Sequence, residues 1–524
     1  MSAAAVAEKG PQGSTKKLNF RAPSAFTILF VLTILAVIAT WFVPAGSYSK
    51  LVYNADANVI EVSTPAGEVE TFEPDQESLD ELGVKIDIGE FTSGAIKKPI
   101  SVPGTYEELE SNPASLTSVP QSMVDGTIEA IDIIVFIFVL GGLIGVVRVT
   151  GAFESGLMRL TKATKGREFL MVSAVSLFMI IGGTSCGLEE EAVAFYPIIA
   201  PIFIAMGYDS IVVVGAIFLA GSIGTCFSTI NPFSSAIANN AAGIGLMQGM
   251  TWRVIGLIGG TIAVIIYLRW YSSKVKADPT FSYSYDDREA FRDQWQMGGV
   301  DDELLPFDWR RKVILILFVA AFPIMVWGVM AGGWWFPTMA ASFLTITIVI
   351  MFIAGLGKGA LANEKMLVDG FSEGAGSLVG VSLIIGLARG INMILNNGLI
   401  SDTMLYHAAD VASKMSGPAF VLVLLFIFFL LGFVVPSSSG LAVLSMPIMA
   451  PLADSVGIPR FVVVCAYQWG QYAMLFLAPT GLVMATLQML DMKYSHWFRF
   501  VWPMVVFVLA FGGVLLVIMS LVYG

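Results

Sequence analysis

Three consecutive carboxylates, Glu189, Glu190 and Glu191, stand inside the apolar stretch GGTSCGLEEEAVAFYPIIAP, Gly182 to Pro201. Charge inside an apolar segment is costly, and ionisable groups that persist there mark ion or substrate sites. Glu190 and Glu191 are the candidates to face a cavity and bind an ammonium, a guanidinium, sodium or a proton. The competing reading is that they open a helix, whose N-terminal dipole favours carboxylates. Adjacent helical residues point about 100° apart, so at most two of the three share a face. Glu189 is expected to stand aside.

Three more interrupted stretches accompany this one: CFSTINPFSS (226–235), VVPSSSG (434–440) and FLAPTG (476–481). Irregular backbone inside a bilayer persists only where it is buried in protein or lines a wet cavity. The four stretches together offer the hydroxyls of Thr184, Ser185, Ser228, Thr229, Ser437, Ser438, Ser439 and Thr480, and the amide of Asn231. That is chemistry for binding a small polar solute with an ion. Ser437–Ser439 could hold a carboxylate with backbone amides at a helix start, or simply cap it. Asn231, before Pro232, either contacts solute or satisfies a broken helix. Arg389 and Asn392 lie in another apolar run. For Arg389 the expectation is snorkelling or a scaffold partner, with a solute carboxylate as the alternative. Gln468 and Gln471 could bond solute or pack between helices. An acidic stretch opposite a neutral, hydroxyl-rich one suits a zwitterion with an extra positive group.

Other chemistry finds no support. His407 and His496 match no zinc spacing, and Cys186, Cys226 and Cys465 all fall in apolar segments as buried small residues. No nucleotide loop, dinucleotide fingerprint or nucleophile elbow occurs, and no basic stripe suits nucleic acid. No catalytic residue, resident metal or cofactor is expected, and the chain is not read as an enzyme.

The elements that must position these groups are membrane helices. The chain is 56% hydrophobic and 13% charged, with mean hydropathy +0.78, against about 25% charged in soluble domains. Many apolar runs exceed the roughly 20 residues that cross a bilayer. The expected fold is an all-α polytopic membrane protein embedded in lipid. Residues 1–22 read as a cytoplasmic tail and 23–46 as the first transmembrane helix, its apolar run too long for a signal peptide. Residues 47–125 read as an extracytoplasmic loop with a β-hairpin at Pro65-Ala66-Gly67. A first repeat, 126–271, holds a hairpin at 168–204 and a broken helix at 211–241. A cytoplasmic loop, 272–312, precedes a second half, 313–524, with a hairpin at 418–453 and a broken helix at 459–488. Lys and Arg bias places the N-terminus in the cytoplasm and the C-terminus outside, in the cell's inner membrane. That orientation is consistent only if both hairpins enter and leave on one side, which makes them re-entrant.

Self-similarity supports two inverted repeats. PIIAP at 197–201 matches PIMAP at 447–451, an offset of 447 − 197 = 250, and Gly207 with VVV at 212–214 matches Gly457 with VVV at 462–464 at that same offset. Inverted repeats with paired interrupted segments point to a secondary transporter with its site at the repeat interface. A channel would instead need a continuous selective pore.

The stretches FRAPSAFTILFVLTILAVIATWFVPAGSY, GLEEEAVAFYPIIAP, STINPFSSAIANNAAG and VVPSSSGLAVLSMPIMAPLAD resemble the YfcC-like family. That family is grouped with C4-dicarboxylate anaerobic carriers and with arginine/ornithine-type basic amino-acid antiporters. The resemblance covers nearly the whole chain after residue 18. It implies the ion transporter superfamily fold: a homodimer with a scaffold and a mobile, two-hairpin transport domain working as an elevator. The family's two-glutamate element falls on Glu190 and Glu191, its Asn-Pro element on Asn231 and Pro232, and its Pro-Ser-rich hairpin on Pro436 to Gly440. Neither hairpin tip carries the Ser-Asn-Thr motif of sodium-dicarboxylate relatives, which counts against sodium coupling and dicarboxylate transport and leaves the coupling ion, H+ or Na+, open. The expected function is exchange of a basic amino acid such as arginine or ornithine. The alternative is a proton- or sodium-coupled C4-dicarboxylate carrier with Glu190 or Glu191 as the coupling site.

Overall fold

Long apolar runs become helices because a bilayer leaves the backbone no other partner than itself. The computed structural model describes residues 24–523 apart from 93–95, 97–98, 164–165, 296–305, 333 and 358–359. Residues 1–22, read as a tail, lie outside the described residues. Nine helical stretches among the described residues are long and apolar enough to cross a membrane.

Helix α1 (Ala25–Phe42) is capped by Ser24, whose Oγ accepts the Thr27 amide at 3.3 Å. A polar segment follows with β1 (Gly46–Ser47), β2 (Lys50–Asn54), β3 (Val59–Ser63), β4 (Val69–Phe72), β5 (Ile100–Ser101) and β6 (Glu107–Glu108). Helices α2 (Gln76–Glu81) and α3 (Ile88–Thr92) lie between β4 and β5. The sheet runs β4-β3-β2-β5, all antiparallel, and β1 pairs with β6. Strands β3 and β4 join across Pro65-Ala66-Gly67, where the sequence placed a hairpin. Leu51, Ile60, Val62 and Ile100 build a small core separate from the main one. The all-helical description therefore holds for the apolar part of the chain only. In the polar segment apolar side chains alternate, which suits strands.

Next come α4 (Ser118–Glu129), α5 (Ile131–Val149), α6 (Ala152–Ala163) and α7 (Glu168–Cys186). A 3-10 turn (Glu190–Phe195) leads to α8 (Tyr196–Ala205), then α9 (Ser210–Val214) and α10 (Ala220–Cys226). Helices α11 (Ile237–Ala241), α12 (Met250–Ala277) and α13 (Arg288–Trp295) complete the first half. The second half has α14 (Trp309–Gly332), α15 (Phe336–Gly355), α16 (Glu364–Gly376), α17 (Val379–Asn397) and α18 (Ser401–Ser413). It ends with α19 (Gly417–Val434), α20 (Ser438–Ser455), α21 (Arg460–Leu477), α22 (Gly481–Met489) and α23 (Tyr494–Tyr523).

Polar contacts sort the helix ends into two faces. On one, Lys276 pairs with Glu168 at 3.3 Å, Lys493 with Asp287 at 2.6 Å, and Arg311 Nε donates to Thr150 O at 3.0 Å. Asp209 there accepts the Tyr271 hydroxyl at 2.8 Å, so α7 begins and α8 ends on that face. On the other, Lys50 pairs with Asp402 at 2.7 Å and Arg460 donates to Ala242 O at 2.9 Å. There α18 begins, and Asp454 at the end of α20 is held by Arg460.

The two hairpins share local structure. Pro197 and Pro201 in α8 match Pro447 and Pro451 in α20. Gly207 (φ 81°) and Gly457 (φ 73°) both turn left-handed after the second arm. Helix α7 packs on α10 as α19 packs on α21. The second arms cross over: α20 rests on α11, and the 3-10 turn at 190–195 rests on α22.

Candidate substrate site

The first hairpin turns at Gly187, which closes α7 at φ 71° with its N–H on Gly182 O. A Cβ there would stand 2.9 Å from Asn231 Nδ2 and from Phe233, so backbone conformation and close approach both require glycine. Asn231 is fully buried. Its Nδ2 donates to Gly183 O at 2.9 Å, and its Oδ1 accepts the amides of Phe233 at 2.8 Å and Ser234 at 3.2 Å. It thus holds the hairpin tip to the break in the helix and caps the turn after Pro232. Thr184 and Thr229 meet hydroxyl to hydroxyl at 3.1 Å, and the Thr229 amide donates to Thr184 Oγ1 at 3.0 Å. Ser185 donates back to Ile181 O at 2.5 Å. Ser228 sits in a buried knot with Ser234 at 2.8 Å and Ser235 at 2.6 Å. Gln468 of α21 donates to Ser228 and Ser235 at 2.9 Å each, which ties the two halves together.

The second hairpin turns through Val435 to Ser437. Ser437 caps α20, its Oγ accepting the Gly440 amide at 3.2 Å. Gln471 holds this turn by donating to Val435 O at 3.2 Å and Ser437 O at 3.1 Å. Tyr467 donates to Ser438 O at 2.5 Å. Thr480 stands at the start of α22, where the second broken helix resumes.

Between these parts lies a cavity of about 260 Å³. Gly187 and Glu189 line it from the first tip, Phe233 from the first break, Ser437–Ser439 from the second tip, and Thr480 and Gly481 from the second break. Four of the hydroxyl residues singled out from sequence, Ser437, Ser438, Ser439 and Thr480, are on its wall. Thr184, Ser185, Ser228, Thr229 and Asn231 are engaged with backbone and with one another behind it. The backbone of Glu190 and Glu191 forms the 3-10 turn beside the cavity, and their side chains lie outside the described residues. Glu189, expected to stand aside, is on the wall.

The cavity has a third wall. Arg389 and Asn392 on α17, Glu129 at the end of α4, Asp132 at the start of α5, and Trp335 and Phe336 at the head of α15 complete it. Asp132 accepts the Trp335 indole N–H at 2.9 Å and the neighbouring Ile133 amide at 2.8 Å in the first turn of α5. Glu129 and Asp132 flank the junction of α4 and α5 at Ala130. The sequence signal was available: two carboxylates at the head of an apolar run. It is a weak signal, because a span edge is the ordinary place for charge. Among the described residues, three carboxylates and one guanidinium thus line a cavity where two turns and two helix breaks converge.

Among the described residues, nine apolar stretches long enough to cross a membrane mark a multi-pass membrane protein, and the family comparison makes it a transport protein. Residues 22–521 match the family model described as C4-dicarboxylate anaerobic carrier, and the chain belongs to that family. An uncharacterized protein of Haemophilus influenzae is 58% identical over 511 residues, 98% of this chain and 99% of that one. An Escherichia coli protein, YfcC, whose naming as a basic amino acid antiporter is itself provisional, is 30% identical over 488 residues, 91% of this chain and 92% of its own. Two solved structures align along the chain at TM-score 0.38. They are the YdaH transporter of Alcanivorax borkumensis (12% identity, 95% of this chain, 98% of that one) and the antimetabolite efflux pump MtrF of Neisseria gonorrhoeae (16%, 97% and 96%). Likeness at that level carries no argument about mechanism.

Proposed function

We propose that this chain is a secondary transporter exchanging basic amino acids of the arginine or ornithine type. The observation that carries this reading is the cavity's charge: Glu129, Asp132 and Glu189 against Arg389. An excess of carboxylate on a polar wall favours a solute with net positive charge. Glu190 and Glu191 add to the same acidic tip in this reading. The name of the Escherichia coli relative points the same way. Matched prolines and left-handed glycines, and hairpins that enter from opposite faces, support an inverted repeat. Exchange then follows from an elevator motion of the hairpin domain. The basic ends at Lys276, Arg311 and Lys493 face the cytoplasm of the inner membrane, which puts the polar segment and the C-terminus outside. The working unit in this reading is a homodimer.

The second reading is a proton- or sodium-coupled C4-dicarboxylate carrier, favoured by the family's own description. Purified protein in liposomes separates the two. Labelled arginine uptake that requires internal ornithine, and is lost in E190Q and E191Q, supports exchange of basic amino acids. Succinate uptake driven by an ion gradient, with no arginine uptake, sinks it. Counterflow of labelled against unlabelled solute distinguishes either carrier from a channel.

A further inference from the structure

Arg389 lies near the middle of α17, within the stretch Glu364–Asn397 that is apolar enough to span a membrane. A side chain placed there is far from either helix end and from easy snorkelling. It lines the cavity, yet among the described residues no carboxylate comes within the 4.0 Å ion-pair distance of its guanidinium, and no acceptor takes its hydrogens. A half-buried cation without a partner is expensive unless something else supplies the anion. One turn on, Asn392 lines the same cavity, and its buried Oδ1 has no hydrogen-bond partner. Residues three apart share a helix face, so α17 presents a planar cationic fork and a free acceptor side by side. The second hairpin tip, Ser437–Ser439, brings hydroxyls to the same space.

We infer that Arg389 and Asn392 form the subsite for an amino-acid head group: the substrate carboxylate on the Arg389 guanidinium, and the α-ammonium donating to Asn392 Oδ1. The inference rests on the cavity being the substrate site, and it deepens that reading. It assigns the acidic wall to the substrate side chain and α17 to the part all amino acids share. An arginine fork matches a carboxylate bidentately, which a lysine does not.

The test is competition against labelled arginine in liposomes, with agmatine, which lacks the carboxylate, and 5-guanidinopentanoate, which lacks the α-amine. Wild-type protein should take arginine and be poorly inhibited by both analogues. R389Q should lose about 10–100-fold in apparent affinity for arginine and leave agmatine inhibition unchanged. R389K should recover part of the loss, and N392A should fall toward the 5-guanidinopentanoate level. An unchanged melting temperature and gel-filtration profile of R389Q would exclude simple misfolding. Agmatine that competes as well as arginine on the wild type, a result needing no variant, would overturn the inference. So would R389Q with unimpaired arginine uptake. If the wild type carries succinate and not arginine, the amino-acid reading and the Asn392 contact fail together. Loss of succinate uptake in R389Q then retains the carboxylate contact, and its persistence overturns that too. Uptake of neither solute overturns both readings.

Discussion

Asn231 and Arg389 illustrate how a polar residue in an apolar helix takes one of two roles. Asn231 has every capacity of its amide oxygen and one of its N–H groups matched by neighbouring backbone. Its role is to hold irregular chain together, and truncation leaves buried donors and acceptors unmade, at about 1–3 kcal/mol. N231A should therefore lower the melting temperature of the purified protein. Its preference for arginine over succinate, normalised to folded protein, should stay as in the wild type. A changed preference at unchanged stability would move Asn231 into the binding site. Arg389 is the reverse case, a group with capacity to spare and a cavity before it. Gln468 sides with Asn231: its amide ties Ser228 and Ser235 across the two halves.

At the scale of elements, the hairpins depend on small residues where backbone meets backbone. A Cβ on Gly224 would collide with Ile180 O, and one on Gly183 with Gly221 O, so α7 and α10 lie in direct backbone contact. Membrane helices pack this way because lipid gives them no hydrophobic drive to associate. G224L should separate the first hairpin from its broken helix, seen as loss of a monodisperse peak in detergent. G187A is milder. Left-handed backbone costs a residue with a Cβ roughly 1–2 kcal/mol, and the displaced Asn231 amide adds to that, so a lower melting temperature is expected with the fold retained. These contacts explain why the breaks in the apolar runs were legible. Their turns carry Gly, Ser and Pro in an otherwise apolar run. The wall made by α17 was not, because nothing in an amphipathic sequence says which cavity its polar face meets.

For the whole molecule, the polar segment is fastened to the helical body at Asp402 of α18. That carboxylate receives Lys50 Nζ at 2.7 Å, the Tyr48 amide at 3.1 Å and Ser47 Oγ at 3.2 Å. Asp402 is buried and Lys50 about a third exposed, so the bond is stronger than a surface pair and weaker than a buried one. D402A should raise hydrogen exchange in β1 and β2 while leaving that of the helices unchanged. Uniform exchange throughout would mean the segment is held elsewhere. The same segment reaches the second hairpin, since Val443 of α20 joins the small core around Leu51 and Ile100. It therefore touches both α18 and α20, and the elevator motion proposed above would have to slide or release one of these contacts.

Sequence alone determined the membrane class and the breaks that interrupt the apolar runs. Those follow from local terms: apolar length, helix-breaking residues and a 250-residue offset between matched prolines and glycines. A bilayer makes such terms decisive, because each backbone group must be satisfied within its own segment. Only the tertiary structure decided which polar groups share a space. Ser228 and Ser437 look alike in sequence, yet one is tied into a buried knot and the other faces the cavity. Asp132, Arg389 and Glu189 are far apart along the chain and line one cavity. Their convergence depends on how α5, α17 and the first hairpin pack, and packing between distant segments is a long-range property that no local pattern encodes.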